Sequence, residues 1–370
     1  MNLKKLIQHN SEQYSDSFEY VKNSDFNKRL DDGEIDGYEL YLKKPDNTEI
    51  SISPISAVLF NFDKPTYREM VKEDVEGSRD NILNVADFPD NLSAFDRLLV
   101  LVKNKAKIIP FIGAGFSVAS GCPVWSNYIS DLAISKTGMD EEEVKKRLGS
   151  GEHEALMDEV IDSVGIDVFQ RDFRSKFEGS LIIPALSPSS NLASLFNECY
   201  ITTNFDRVLE GSHHSVAPFT EKVMGVDDTG RFLKAIYRCE KYLLKLHGNI
   251  DEQRDRILTK AEYNSGYGND DVDVQLPIPR TLSRIFSSFS VLFLGCSLIQ
   301  DRYLDVLNKV YASGPNLMPD HFAILVAPED DSEMQVRDRY MATLGITPIW
   351  FKSGDWDKPS EIIDLILTEL

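Results

Sequence analysis

The apolar and polar positions of this chain fall into two alternating rhythms. Lys107-Ile108-Ile109-Pro110-Phe111-Ile112 is an almost unbroken apolar run that ends in Gly113-Ala114-Gly115. Such a run fits a parallel strand covered on both faces. Three later stretches repeat the plan of an apolar strand closing on small or polar residues. They are Tyr200-Ile201-Thr202-Thr203-Asn204-Phe205-Asp206, Leu244-Lys245-Leu246-His247-Gly248-Asn249-Ile250-Asp251, and Phe293-Leu294-Gly295-Cys296-Ser297-Leu298-Ile299-Gln300-Asp301. Apolar runs at 242–246, 291–294, 322–326 and 347–351 predict strands, and helical spacing near 279–288, 301–312, 332–344 and 358–369 predicts helices between them. Alternating strand and helix predicts an α/β, Rossmann-like fold with a mostly parallel sheet and helices on both faces.

The rest of the chain is read in the same terms. A helical run begins at Asn91-Leu92-Ser93, with Ser93 as its expected cap. Helix is expected again over 125–135. Asp140 before Glu141-Glu142-Glu143 reads as a cap followed by carboxylates in the first turn, where the helix dipole favours them. Ala155, Leu156, Val160, Ile161, Ile166, Val168, Phe169 and Phe173 keep a helical spacing to about 177, which predicts a helical insertion over about 126–195. Pro184 and Pro188 bound a loop, and a short helix follows over 191–197. Near the start, Leu3, Leu6, Ile7, Phe18 and Val21 suggest short amphipathic helices. The segments 38–42 and 49–52 alternate around Pro45-Asp46-Asn47 and predict a β-hairpin. The expected division is an extension over 1–95, either an interaction module or an elaboration of the main domain, and a domain over 96–370.

Composition narrows the function. The net charge is −20, so nonspecific nucleic-acid binding, which needs clustered Lys and Arg, is not expected. A basic partner could complement this charge. Cys122, Cys199, Cys239 and Cys296 show no C-x-x-C spacing, so neither a zinc site nor a disulfide framework is expected. The chain begins without a signal-like apolar segment, and no run reaches membrane-span length. A cytoplasmic location is the expectation.

The candidate chemistry lies at the strand ends. Strand, glycine turn and helix N-terminus can cradle a pyrophosphate, because free N–H groups and the helix dipole both favour an anion. Asn204 ends a strand, where its amide could orient a ribose hydroxyl or an attacking water, or simply serve a turn. Asp206 could hold Asn204 or a ribose, or cap a helix near Phe205. His247 sits between a strand and Gly248, and a neutral imidazole suits general-base work. His9, His153, His213, His214 and His321 have no comparable setting. Gly295 and Ser297 end a further strand, and Asp301 reads as the cap of the helix opening at Arg302. No basic stretch interleaved with aromatics and no glycosidase-like carboxylate pair is evident.

In order and wording the four strand-end stretches resemble a sirtuin-type NAD-binding domain over about residues 107–311. The resemblance implies NAD as substrate, with Asn204, His247 and Asp206 as catalytic residues. It implies a cofactor-binding set of Gly113, Ala114, Gly115, Ser117, Pro123, Trp125, Thr203, Gly295 and Ser297. The chain departs from protein-deacylating sirtuins in three places. It lacks the paired zinc cysteines. It carries Pro123-Val124-Trp125-Ser126 where they carry Pro-Asp-Phe-Arg. It has Ile257-Leu258-Thr259-Lys260-Ala261-Glu262-Tyr263 in place of their peptide-binding strand. That last run is similar to the bacterial sirtuin-like branch of anti-phage defence systems, whose members hydrolyse NAD. The resemblance thus implies an NAD glycohydrolase with a linear or cyclic ADP-ribose product. It also implies homo-oligomers and a partner such as a HerA-type ATPase. An NAD-dependent deacylase and a noncatalytic NAD or ADP-ribose sensor are the alternatives.

Overall fold

A computed structural model describes residues 18–35, 40–177, 188–196, 198–213, 219, 221–224, 229–248, 250, 256–269, 271–314 and 317–370. Several expectations lie outside these residues: those on Leu3, Leu6, Ile7, His9, Tyr38, Glu39, Pro184, Asn197, His214, Asn249 and Asp251. The chain divides into two compact units, one of 1–82 with 365–370 and one of 83–364.

In the smaller unit, strands β1 (Tyr41–Lys43) and β2 (Glu49–Ser51) form the expected antiparallel hairpin. Asp46 Oδ1 accepts from Thr48 N–H at 2.9 Å and Asn47 takes a positive φ of 64°, so Asp-Asn chemistry makes the turn. Helices Ser24–Asp31, Ile55–Phe62 and Lys64–Ile82 enclose a core of Phe26, Leu30, Leu59, Phe60, Tyr67 and Met70. Phe18–Lys22 is helical as expected, but Val21 is exposed and Tyr20 makes the packing contact instead.

The larger unit is built on seven parallel strands in the order β5-β6-β4-β3-β7-β8-β9. They are β3 (Ile108–Ile112), β4 (Tyr200–Thr202), β5 (Glu221–Met224), β6 (Tyr242–Lys245), β7 (Ser290–Leu294), β8 (His321–Val326) and β9 (Ile346–Phe351). Leaving out β5, this is the 3-2-1-4-5-6 order of doubly wound dinucleotide-binding sheets. Every residue of β3, β4, β6 and β7 is buried. That burial is why these strands read as largely apolar runs, with Thr202, Lys245 and Ser290 as buried exceptions. Strand β5 was not expected, since Glu221-Lys222-Val223-Met224 is a short polar-rich edge segment.

Helix boundaries show where local signals succeed. Asp140 caps Glu141–Gly149 by accepting from Glu142 and Glu143 N–H at 3.0 and 3.1 Å. Asp301 likewise caps Arg302–Ser313. Ser93 does not act as a cap, because the helix Asp90–Lys103 starts earlier, after Pro89. Asn91 is instead a buried strut. Its Nδ2 donates to Leu83 O and Trp350 O at 2.6 and 2.7 Å, and its Oδ1 accepts from Trp350 N–H at 2.8 Å. The insertion is helical as expected, with Glu141–Gly149, His153–Val164 and Ile166–Phe177 closing a core of their own around Tyr128, Phe169, Phe173 and Phe177.

Candidate functional site

Strand register brings the four motifs to one rim. Ile112 pairs with Thr202 and with Leu294, and Thr202 pairs with Lys245. The ladder runs one step further, with Gly113 N–H donating to Leu294 O, Thr203 N–H to Ile112 O and Leu246 N–H to Thr202 O. Asn204 and His247 therefore each stand two residues past a paired position on adjacent strands. The chain crosses to one side after β3 and to the other after β7. These strands flank the topological switch point, where open α/β sheets bind ligands outside the strand C-termini.

The glycine turn has a different local logic from the expected one. Gly115 N–H donates to Gly295 O at 2.9 Å, so the amides of both Gly113 and Gly115 are taken by the β7 end. A Cβ on Gly115 would lie 3.0 Å from Gly295 O. One on Gly295, at φ +66°, would lie 2.3 Å from Phe116 N. These glycines let two loops touch. A larger side chain at Gly115 would strike protein backbone rather than leave the fold intact and strike only a ligand. The turn also leads into a 3-10 segment, Ala114–Ser120, not directly into an α-helix, which opens at Trp125.

Asn204 is fixed by that segment. Its Nδ2 donates to Gly113 O at 2.9 Å and to Ser117 Oγ at 3.2 Å, and its backbone N–H donates to Thr202 Oγ1 at 3.0 Å. Its Oδ1 is buried and has no partner. A buried amide oxygen without a donor is costly, so this atom has the capacity to accept from a hydroxyl or water. Asp206 is buried, and desolvation raises its carboxyl above the ordinary range, offset partly by Val208 N–H and Lys245. Its Oδ1 accepts from Val208 N–H at 2.9 Å. The helix-capping role is therefore the one seen, at the start of Val208–His213.

Lys245, which the sequence reading missed, holds this loop from below. It is 1% exposed, donates to Asp206 O at 2.5 Å and Phe205 O at 3.3 Å, and pairs with Glu210 at 3.1 Å. Apolar neighbours on both sides had made position 245 look like ordinary strand. Trp125 and Phe205, whose rings lie 5.6 Å apart, join the rim to the aromatic core of the insertion. Pro123, Ala114 and Thr203 are half-buried at the rim, and Gly295 and Ser297 are exposed there. Arg337 donates to the carbonyls of Ser297 and Leu298 at 2.6 and 2.9 Å and steadies that loop.

His247 is 3% exposed. Burial depresses its pKa to about 3, so the imidazole is neutral. Two tyrosines that sequence reasoning did not single out hold both ring nitrogens. Tyr267 Oη lies 3.0 Å from Nε2 and Tyr263 Oη lies 3.4 Å from Nδ1. Both rings stand edge-on to the imidazole. Their spacing of four residues on the helix Lys260–Tyr267 is the available signal. A Thr259–Glu262 capping box starts that helix. Arg302 then ties it down, donating to Asn264 Oδ1, Gly268 O and both oxygens of Glu154 from the insertion. The run from Ile257 to Tyr263 thus leads into a helix that carries the partners of His247.

No group of three or more metal-ligating side chains is gathered among the described residues. The four cysteines are free thiols, with Cys239 exposed and the others buried. No described helix is long and apolar enough to cross a membrane. No curated protein matches the chain. Residues 198–349 match the family model described as SIR2-like domain, a stretch that carries Asn204, His247 and Gly295 but not β3 and its glycine turn. The match supports a sirtuin-like family and NAD-related activity at the level of that domain.

Proposed function

We propose that this chain is an NAD glycohydrolase that cleaves the nicotinamide–ribose bond. The observation that carries the reading is the unpartnered Oδ1 of Asn204, fixed at the sheet rim in register with a neutral histidine. Nicotinamide leaves a cationic ring as a neutral base, so no protein acid is needed. What the site must supply is a placed nucleophile and tolerance of positive charge at the anomeric carbon. Asn204 Oδ1 accepts from a water or ribose hydroxyl and orients it. His247 takes a proton as charge develops. The absence of C-x-x-C pairs from the sequence favours hydrolysis over peptide deacylation.

The test is incubation with NAD and separation of nicotinamide, ADP-ribose and cyclic ADP-ribose. His247→Ala and Asn204→Ala should each lower nicotinamide release by about 10²–10⁴. Both should still bind NAD, which calorimetry reads. Release at the parent rate in both variants would overturn the reading, and nicotinamide release that requires an acyl-lysine peptide would replace it with deacylation. NAD depletion during phage infection is the proposed role, with a homo-oligomer and a HerA-type ATPase as proposed assembly and partner. NAD levels in infected cells carrying parent or His247→Ala protein test the role. Light scattering, alone and with the co-expressed ATPase, tests the assembly.

A further inference from the structure

The helix that holds His247 has little of its own to keep it in place. Lys260–Tyr267 is eight residues long, and only Gly266 and Tyr267 in it are buried. A helix this short is marginal without outside support. Polar ties at its two ends supply that support. At the start, Leu258 and Thr259 N–H donate to Glu262 Oε2 at 2.8 and 2.9 Å, and Lys260 N–H donates to Asp158 Oδ1 at 3.3 Å. Towards the end, Arg302 commits all five of its guanidinium N–H donors. Nε and Nη2 reach the two oxygens of Glu154 at 3.0 and 2.8 Å, and Nη2 also reaches Asn264 Oδ1 at 3.0 Å. Nη1 reaches Gly268 O and Asn269 O at 2.9 and 3.1 Å. Asn264 and Gly268 directly follow Tyr263 and Tyr267, the two residues that contact the imidazole. Glu154 and Asp158 lie one turn apart on His153–Val164 of the insertion. The insertion therefore grips the helix at both ends, and Arg302 is the joining piece.

We propose that Arg302 is a positioning residue for His247, and that the insertion governs catalysis through the Glu154–Arg302 contact. This rests on the NAD-cleaving reading. Neither residue needs to touch the substrate. The chain of contacts runs from Glu154 to Arg302, from Arg302 to Asn264 and Gly268, and through the helix to Tyr263, Tyr267 and the imidazole. The Arg302 and Glu154 side chains are only 18% and 23% exposed, and both carboxylate oxygens are engaged, so the contact is two-pronged and sheltered. Asn204 is held separately, by Gly113 O and Ser117 Oγ. Loosening the helix should therefore displace His247 while leaving Asn204 in place. A displacement of about 1 Å at a reacting group costs about 10²-fold in rate. Lysine cannot substitute for the arginine, because a compact ammonium with three donors does not span these acceptors.

Two measurements on the full chain test this. The first is nicotinamide release. Arg302→Lys should lower kcat by about 10²-fold with KM little changed. Glu154→Gln, which keeps one acceptor oxygen, should lower kcat by less, again with KM little changed. Arg147→Met is the control for general loosening. It removes the ties of Arg147 to Glu152 and Glu159 within the insertion, none of which reaches the helix, and its kcat should match the parent. Parent-like kcat in Arg302→Lys, a loss confined to KM, or an equal fall in Arg147→Met would overturn the proposal. Should Arg302→Lys fail to fold, Glu154→Gln decides by the same criteria. The second measurement uses 15N-labelled histidine and needs no turnover. The ring resonances of His247, assigned by their loss in His247→Ala, should move in Arg302→Lys and Glu154→Gln but not in Arg147→Met. Unmoved resonances in the first two would overturn the positioning role. A parent that releases no nicotinamide would instead sink the glycohydrolase reading, and the NMR comparison would still decide whether Arg302 positions His247.

Discussion

Lys245→Met isolates the buried charge beneath the candidate site. Methionine keeps the apolar stem of the lysine but removes three interactions. These are the pair with Glu210 at 3.1 Å and the donations to Asp206 O and Phe205 O at 2.5 and 3.3 Å. Lys245 is 1% exposed and the Glu210 side chain 12%, so water cannot readily replace the lost partner. Breaking a buried pair from one side costs about 3–5 kcal/mol, because the remaining carboxylate loses the cation it was buried with. With a urea slope of about 3 kcal/mol/M for a unit of this size, the midpoint should fall by about 1 M or more. The double variant Lys245→Met/Glu210→Gln no longer buries a carboxylate that has lost its lysine. It should recover about 1 kcal/mol or more relative to the single change. Urea unfolding followed by circular dichroism measures both. A single variant within about 1 kcal/mol of the parent would refute the claim that this pair holds the Asn204–Asp206 loop, as would a double variant no better than the single.

Asn91→Leu should cost about 3 kcal/mol or more, since it leaves the carbonyls of Leu83 and Trp350 and the N–H of Trp350 without partners in the core; a midpoint within error of the parent in the same urea assay would contradict this. His321 is neutral and its pKa is pushed down to about 4 by burial, while Nδ1 accepts from Val291 N–H. The unfolded chain binds a proton there below about pH 6.5 and the folded chain does not, so this group costs stability as pH falls from 6.5 towards 4. His321→Asn keeps an acceptor but cannot titrate, so its stability relative to the parent should improve by about 1.4 kcal/mol per pH unit across that window. A difference that stays constant from pH 7 to pH 4.5 would show that His321 is not buried as a neutral ring.

What the sequence discloses about this fold depends on how far apart the interacting residues lie. The buried strands are legible because covering both faces favours apolar residues at nearly every position, and Ile108–Ile112 and Val291–Leu294 meet that demand within five and four residues. Asp140 and Asp301 are legible because a cap and the N–H groups that donate to it are two or three residues apart. Ser93 misled for the same reason that those two succeeded. A local cap signal carries no information that Asn91, two residues earlier, is needed against Trp350. The rim residues Asn204 and His247 could be named, but not their partners. Register across β3, β4, β6 and β7 brings Gly113 and Ser117 to Asn204, and a separate helix brings Tyr263 and Tyr267 to His247. Lys245 is the sharpest case. Within its strand it is a lone cation among leucines, and the apolar neighbours made the segment read as ordinary strand. Only the fold reveals that the cation points into the protein and is matched by Glu210 and two carbonyls. The distance dependence has a chemical consequence. The groups nameable from sequence are those that stand at the strand ends. The groups that hold them lie elsewhere in the chain, so substitutions at Tyr267 and Lys245 test how the rim is held, whereas those at Asn204 and His247 test whether it is an active site or merely a well-built turn.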